Sequence, residues 1–310
     1  MTPPEPREPL QVYEVPAQAA GERLDKFLVQ QQPQLGRQGA RWLSEHGLVR
    51  VDGARAVKSR LLRAGERVEL FGEYGGAPPP EREAPLAVVL ERAELVVVDK
   101  PAGQPSAPLA PGERGSVAGA LLGRYPEMRD VGYRAREPGL LHRLDTRTSG
   151  LLLAARTPLC FDVLRAALSA EQLHKRYLAI VPSAVPDSAL LEQPLAPDAG
   201  GSGRVVLAAH QDVPGARPCR SALRTLERRG PWALVEVTAS RAYRHQVRVH
   251  LAAAGWPIAG DLEYGGSPVL EGRHALHASH LSFDGDARVE AFRVDSVLPA
   301  ELRALLEAGV

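Results

Sequence analysis

At 310 residues, with 44% hydrophobic and 24% charged side chains, the chain has the length for about two globular domains and enough apolar residues to give each a core. Lysine and arginine total 38 against 37 acids, a formal net charge of +1, so bulk charge makes no case for an anionic partner. Two distant cysteines, Cys160 and Cys219, argue against a disulfide scaffold and a cysteine-based zinc site, and no apolar run approaches the ~18 residues of a membrane span. The amino terminus lacks a basic stretch leading into an apolar one, and a cytoplasmic location is expected.

Residues 1–20 are rich in Pro and Glu and read as a disordered lead-in. A small α/β unit is expected over 21–71. Arg23 to Leu28 starts a helical pattern, and Ala40 to His46 carries a second that stops at Gly47. Leu48 to Val51 reads as a strand running into Asp52-Gly53, a strong hairpin dipeptide, and Gly65 to Leu70 as an alternating strand. Residues 72–85 carry too much Gly and Pro to pack and read as a linker. Beyond it, Glu94–Asp99, Tyr177–Val181 and Trp232–Thr238 are expected strands, while Phe161–Ala170 and Arg244–Ala254 are expected helices. Strands and helices do not alternate strictly, which favours an α+β domain over 86–310.

Charge is segregated along this neutral chain. Seven basic residues face two acids between Gly36 and Arg63, and eight face two between Arg217 and His250. Two such zones suit an anionic polymer, and they suit solvated arginine-rich faces equally well.

Several chemistries lose their usual signals. None of the four lysines (Lys26, Lys58, Lys100, Lys175) follows a glycine, so no Walker loop is present, and neither Gly-x-Gly-x-x-Gly nor Gly-x-Ser-x-Gly occurs. The densest group of reactive side chains is His142-Arg143-Leu144-Asp145-Thr146-Arg147-Thr148-Ser149-Gly150. Taken alone, Asp145 among these cations is more readily a turn carboxylate in a surface ion pair than a working acid.

The run His-Arg-Leu-Asp-x-x-Thr-Ser-Gly resembles the active-site motif of RluA-type pseudouridine synthases at every fixed position. Further segments resemble that family in the same order: Val98 to Gly103 around Lys100-Pro101, Lys175-Arg176-Tyr177, His245 to His250, Gly260-Asp261 with Tyr264-Gly265-Gly266, and Ala275 to Ala278. Residues 21–71 resemble the S-four-like RNA-binding domain that often precedes this catalytic domain. Ahead of His245-Gln246 the family usually has Gly-Arg-Thr, whereas this chain has Ala242-Tyr243-Arg244.

The resemblance implies an α+β catalytic fold with a mixed, largely antiparallel sheet, and isomerisation of uridine in RNA to pseudouridine without cofactor or metal. It implies that Asp145 is the essential carboxylate, attacking the ribose or removing a ribose proton. Arg248 would pair with Asp145, and on a helix His245, three residues earlier, would share its face. Tyr177 would stack on the uracil and help remove the carbon-5 proton. Arg143 would steer the flipped nucleotide, with His142, Lys100, Lys175 and His245 supporting the substrate. In the amino-terminal unit, Arg37, Arg41, Arg50, Arg55 and Lys58 would meet phosphates. Ribosomal RNA is the favoured substrate, transfer RNA the alternative, and a monomer is expected. A non-catalytic RNA-binding factor is the rival from another class, but would have no need of Asp145, Tyr177 and Arg248 together. A second acid in a comparable motif, which a glycosidase needs, is not evident. His274, His277 and His280 recur every three residues, but no carboxylate or thiol accompanies them at ligand spacing.

Overall fold

Two units make up the structure, a computed structural model that describes residues 8–308 apart from 73, 111, 199–203, 211 and 240–242. One unit runs to Ala77 and takes in residues 110–112; the other holds the remainder from Pro78. The first contains β1 (Gln11–Glu14), α1 (Leu24–Gln31), α2 (Gly36–Glu45), β2 (Val49–Val51), β3 (Ala54–Arg55) and β4 (Arg67–Leu70). Its strands form an antiparallel sheet in the order β1-β4-β2-β3. Asp52 and Gly53 have φ of 50° and 75°, the left-handed pair that a two-residue type I′ hairpin demands. Leu24, Phe27 and Leu28 recur at helical spacing and, with Leu43, bury against Val49, Val51, Val68 and Leu70.

This unit corrects both expected flanks. The described part of the lead-in is ordered: β1 pairs with β4 from Gln11↔Leu70 to Glu14↔Arg67, and Val15 and Ala19 are buried in the core. An open sheet edge and two inward apolar side chains outweigh the Pro/Glu composition; residues 1–7 lie outside the described residues. Tyr74 and Glu81, in the expected linker over 72–85, are likewise packed rather than free. The Tyr74 ring lies 6.0 Å from that of Trp42, while the Glu81 backbone N–H donates to the Gly119 carbonyl at 2.9 Å.

The second unit contains β5 (Val88–Glu91), β6 (Leu95–Lys100), α3 (Val117–Arg124), β7 (Ser149–Ala155), α4 (Pro158–Ser169) and β8 (Leu173–Pro182). There follow β9 (Ser188–Leu191), β10 (Leu195–Pro197), β11 (Val205–Leu207), β12 (Ser221–Arg229), β13 (Trp232–Thr238) and α5 (Gln246–Ala253). The chain ends with β14 (Leu276–Phe283), β15 (Phe292–Asp295) and α6 (Ala300–Glu307). Nine strands form one sheet along the path β5-β6-β7-β14-β8-β13-β12-β9, with β15 on β14. Among the described residues only β7 and β14 pair in parallel, so the sheet is mixed and largely antiparallel, as expected. Strands β10 and β11 form a separate ribbon.

Helix α4 starts three residues before its expected position, because Thr157 caps it through the Cys160 N–H at 3.3 Å and Pro158 suits the first turn. Helix α5 starts at Gln246, two residues late. His245 is its cap residue, held at φ 58°, a left-handed conformation that non-glycine residues seldom adopt. Leu95, Val97, Leu151 and Leu153 of the sheet bury in one cluster with Phe161 and Leu164 of α4. Strands β7 and β14 are buried along their whole length, and the loop that enters β7 carries Asp145.

Candidate active site

The loop before β7 is fixed by polar groups that its own sequence does not supply. Ser106 donates to the Leu144 carbonyl at 2.8 Å and accepts from the Leu144 N–H at 3.0 Å. Lys100, buried at the end of β6, donates to the carbonyls of Pro101, Gln104 and Thr146 at 2.9, 2.8 and 3.2 Å. Burial pulls this amine down to about 7, with the Asp145 charge acting in the opposite direction.

On the far side of Asp145, Thr148 Oγ1 bonds His274 Nε2 at 2.8 Å, and Ser149 Oγ bonds His277 Nδ1 at 3.0 Å. Gly150, at φ 111°, lies so close to β14 that a Cβ would fall 2.2 Å from the Ala278 carbonyl oxygen. The second half of the motif therefore ties β7 to β14. His280 bonds Asp295 at 2.6 Å, so each of the three regularly spaced histidines serves the sheet. Among the described residues, no group of three or more His, Cys, Asp or Glu is arranged to hold a metal ion.

Arg248, on the first turn of α5, reaches Asp145 across 103 residues of chain, with Nη1 2.9 Å from Oδ2. Its Nε and Nη2 fork onto Asp261 at 2.7 and 2.8 Å, and Nη2 also meets Glu263 at 2.7 Å. The guanidinium is 6% exposed and Asp261 2%, whereas Asp145 is 25% exposed. Burial opposes the Arg248 charge, but Asp261, Asp145 and Glu263 outweigh it and hold Arg248 above its ordinary value. The result is a rigid cation that grips one oxygen of an accessible carboxylate. Among the described residues, nothing donates a hydrogen bond to the other oxygen, Oδ1; His245 Nε2 lies 3.7 Å from it.

Tyr264 supports this arrangement from behind. Its ring lies 4.8 Å from the Arg248 guanidinium carbon and 5.1 Å from that of Arg204, and its hydroxyl bonds His245 Nδ1 at 2.8 Å. The same hydroxyl bonds the Val205 carbonyl and N–H at 3.1 and 3.2 Å, joining β11 to the site.

The other expected site residues divide. Tyr177, on β8 opposite Ala278, is buried, and burial together with the Asp145 charge holds its phenol above the ordinary value. Lys175 is buried two residues before it on the same strand face, and burial alone pulls its amine down to about 8. His142 and Arg143 do not join Asp145. The His142 ring turns inward, with Nε2 accepting from the Leu153 N–H at 3.3 Å and Nδ1 buried without a partner. Burial, and then the Lys175 charge, push it down to about 3. Arg143 pairs with Glu137 at 2.8 Å. At the departure from the family pattern, Arg241 and Ala242 lie outside the described residues. Next to them, Tyr243 carries the exposed Arg217 guanidinium over its ring at 5.4 Å, and Arg244 Nε donates to His245 Nε2 at 3.4 Å.

Sequence reasoning gave no role to Asp261, Glu263, Tyr264 or Ser106. A signal existed for two of them. Only three acids, Asp261, Glu263 and Glu271, occur between Val237 and Phe283, and a buried arginine in that stretch must find counter-charges.

Residues 94–253 match the RNA pseudouridylate synthase family. An uncharacterized RNA pseudouridine synthase of Chloroflexus aurantiacus is 35% identical over 307 residues, spanning 95% of this chain and 92% of that protein. Ribosomal large subunit pseudouridine synthase D of Xanthomonas campestris is 32% identical over 312 residues, spanning 95% and 91%. The solved structure of human RNA pseudouridylate synthase domain containing 1 shares the fold, with a TM-score of 0.59 at 22% identity, covering 74% of this chain and 89% of that one. Fold and site thus define an isomerase that acts on RNA. The chain belongs to the RNA pseudouridylate synthase family.

Proposed function

We propose that this enzyme converts particular uridines of large-subunit ribosomal RNA to pseudouridine, with Asp145 as the essential carboxylate and no cofactor. The observation that carries the reading is the pairing of one Asp145 oxygen with buried Arg248, while none of the described residues donates to the other. The names of several relatives that match nearly the whole chain support the ribosomal target.

In the reaction the bond from ribose C1′ to uracil N1 breaks, the base turns, and C1′ bonds to C5. The C5 proton is lost and N1 regains one, so atoms and charge balance. Arg248 orients Asp145 toward the sugar, for attack or for removal of a ribose proton. Tyr177, held protonated at neutral pH, offers a stacking ring and a hydrogen-bond donor more than a standing base. Lys100 keeps the loop in place through Thr146. Reaching the site requires the nucleotide to leave its stack; Arg143, exposed and released from Glu137, could fill the gap.

The first unit is read as an S-four-like RNA-binding domain. Arg37 is exposed at the start of α2, Arg41 and Lys58 share Glu45 at 2.7 and 3.5 Å, and Arg50 lies 4.7 Å over the Phe71 ring. With Arg55 these residues would meet phosphates and leave sequence choice to the second unit. The enzyme is taken to act as a cytoplasmic monomer; no helix among the described residues is long and apolar enough to cross a membrane.

The test is tritium release from ribosomal and transfer RNA carrying 5-tritiated uridine. Release from ribosomal RNA by the native enzyme, and none by Asp145→Asn with RNA binding kept within a few-fold, is expected. Release from transfer RNA alone would replace the proposed target. Free uracil in place of pseudouridine would replace the reaction.

A further inference from the structure

Among the described residues of the site, His245 is the one non-glycine residue in the left-handed region, and its two ring nitrogens face different partners. Nε2 accepts from Arg244 Nε at 3.4 Å, so it carries no proton in this arrangement. The proton of the neutral ring is then on Nδ1, which donates to the Tyr264 hydroxyl at 2.8 Å. Tyr264 in turn donates to the Val205 carbonyl at 3.1 Å and accepts from the Val205 N–H at 3.2 Å. Donation runs from Arg244 through His245 and Tyr264 to the Val205 carbonyl, and the Val205 N–H donates back to the same hydroxyl. Only one tautomer satisfies it.

We propose that Tyr264 is a positioning residue: its hydroxyl holds His245 in the Nδ1–H form, which withholds a donor from Asp145 and turns Nε2 to Arg244 at the mouth of the site. The consequence lies 3.7 Å from His245 Nε2, at Asp145 Oδ1. A proton on Nε2 would close that gap as a hydrogen bond and occupy the one carboxylate oxygen that Arg248 leaves open. With the proton on Nδ1, Oδ1 stays available to substrate. The strained backbone of His245 is consistent with a ring fixed from outside its own helix. The groups facing the ring are Asp145, Glu263, Arg248, Arg244 and Tyr264; burial is the largest influence and favours the neutral form. This inference rests on Asp145 being the working carboxylate.

Two measurements test it. In nitrogen-15-labelled native protein at pH 7.5, ring correlations of His245, assigned by their loss in His245→Gln, should show the Nδ1–H pattern. An Nε2–H pattern would overturn the proposal, whether or not any variant folds. In Tyr264→Phe, which keeps the ring against Arg248, the pattern should move toward Nε2–H. With a ribosomal RNA transcript carrying 5-tritiated uridine, kcat should fall roughly 10- to 100-fold with KM within about two-fold. Native kcat in that variant, or a loss of kcat with the Nδ1–H pattern retained, would also overturn it. Inactivity of the native enzyme would instead reject the functional reading, and the tautomer measurement would still decide the role of Tyr264.

Discussion

The two basic zones look alike as compositions and differ once folded. In residues 217–250, acids from elsewhere in the chain come in: Glu192 to Arg220 at 3.6 Å, Asp187 to Arg228 at 2.8 Å, and Asp145, Asp261 and Glu263 to Arg248. Arg217, stacked on Tyr243, and Arg244, on His245, meet rings instead. In residues 36–63, Arg60 meets Glu66 at 2.9 Å, and Glu45 is divided between Arg41 and Lys58. The second zone turns much of its charge into structure and chemistry by pairing with distant acids, whereas Arg41, Lys58 and Arg60 of the first zone pair with acids of their own unit. A charge count along the chain records composition, and tertiary pairing decides what that charge is for.

Removing the most buried cation should break the contrast most severely. Arg248→Gln leaves Asp261, 2% exposed, without its counter-charge and releases Asp145. A stability loss of about 3–5 kcal/mol in urea unfolding is expected, with tritium release abolished. An equivalent change at Arg37 should leave stability unaltered and tritium release intact at saturating RNA.

Acid should separate the two units next. His142 and His274 are held neutral by burial at about 3 and about 4, against about 6.5 for an unfolded histidine. Between those limits the unfolded chain binds more protons than the folded one, so stability present above pH 6.5 is lost as pH falls toward 4. The first unit has a single histidine, His46, exposed and stacked on Trp42 at 4.1 Å. Hydrogen exchange compared at pH 7 and pH 4.5 should therefore show protection falling in β7 and β14 before β1 to β4.

Much of this was legible in the sequence, but unevenly. Asp145, Tyr177 and Arg248 stood in recognisable motifs, and the hairpin at Asp52-Gly53 was fixed by turn chemistry that needs no tertiary information. The same motif that announced Asp145 also held Thr148, Ser149 and Gly150, whose work on β14 lies more than 120 residues away in sequence. No periodicity carries a contact of that kind. His142 was misread for this reason, being grouped with Asp145 by adjacency although its ring turns to β7. Tyr264 was visible as a pattern and silent as a role, since its partners Val205 and His245 are 59 and 19 residues away. β1 was missed because Pro and Glu describe its surroundings better than its own four residues.

The smallest effects should come from the free ends of the two zones, and they should differ in kind. Arg217 sits beside the site on a tyrosine ring, its backbone held to Leu195 of β10. Its loss in Arg217→Ala should weaken RNA binding by several-fold, about 1 kcal/mol, and more for RNA containing the target uridine than for RNA lacking it. Arg37, remote in sequence from every site residue and exposed on α2, should act only as a charge. Arg37→Ala should lower affinity alike for both RNAs and reduce the slope of log affinity against log salt by about one. Filter binding across a salt series measures both variants. If Arg37→Ala discriminated between the two RNAs while Arg217→Ala did not, the division of labour between the zones would be reversed, and the first unit would be reading sequence rather than supplying grip.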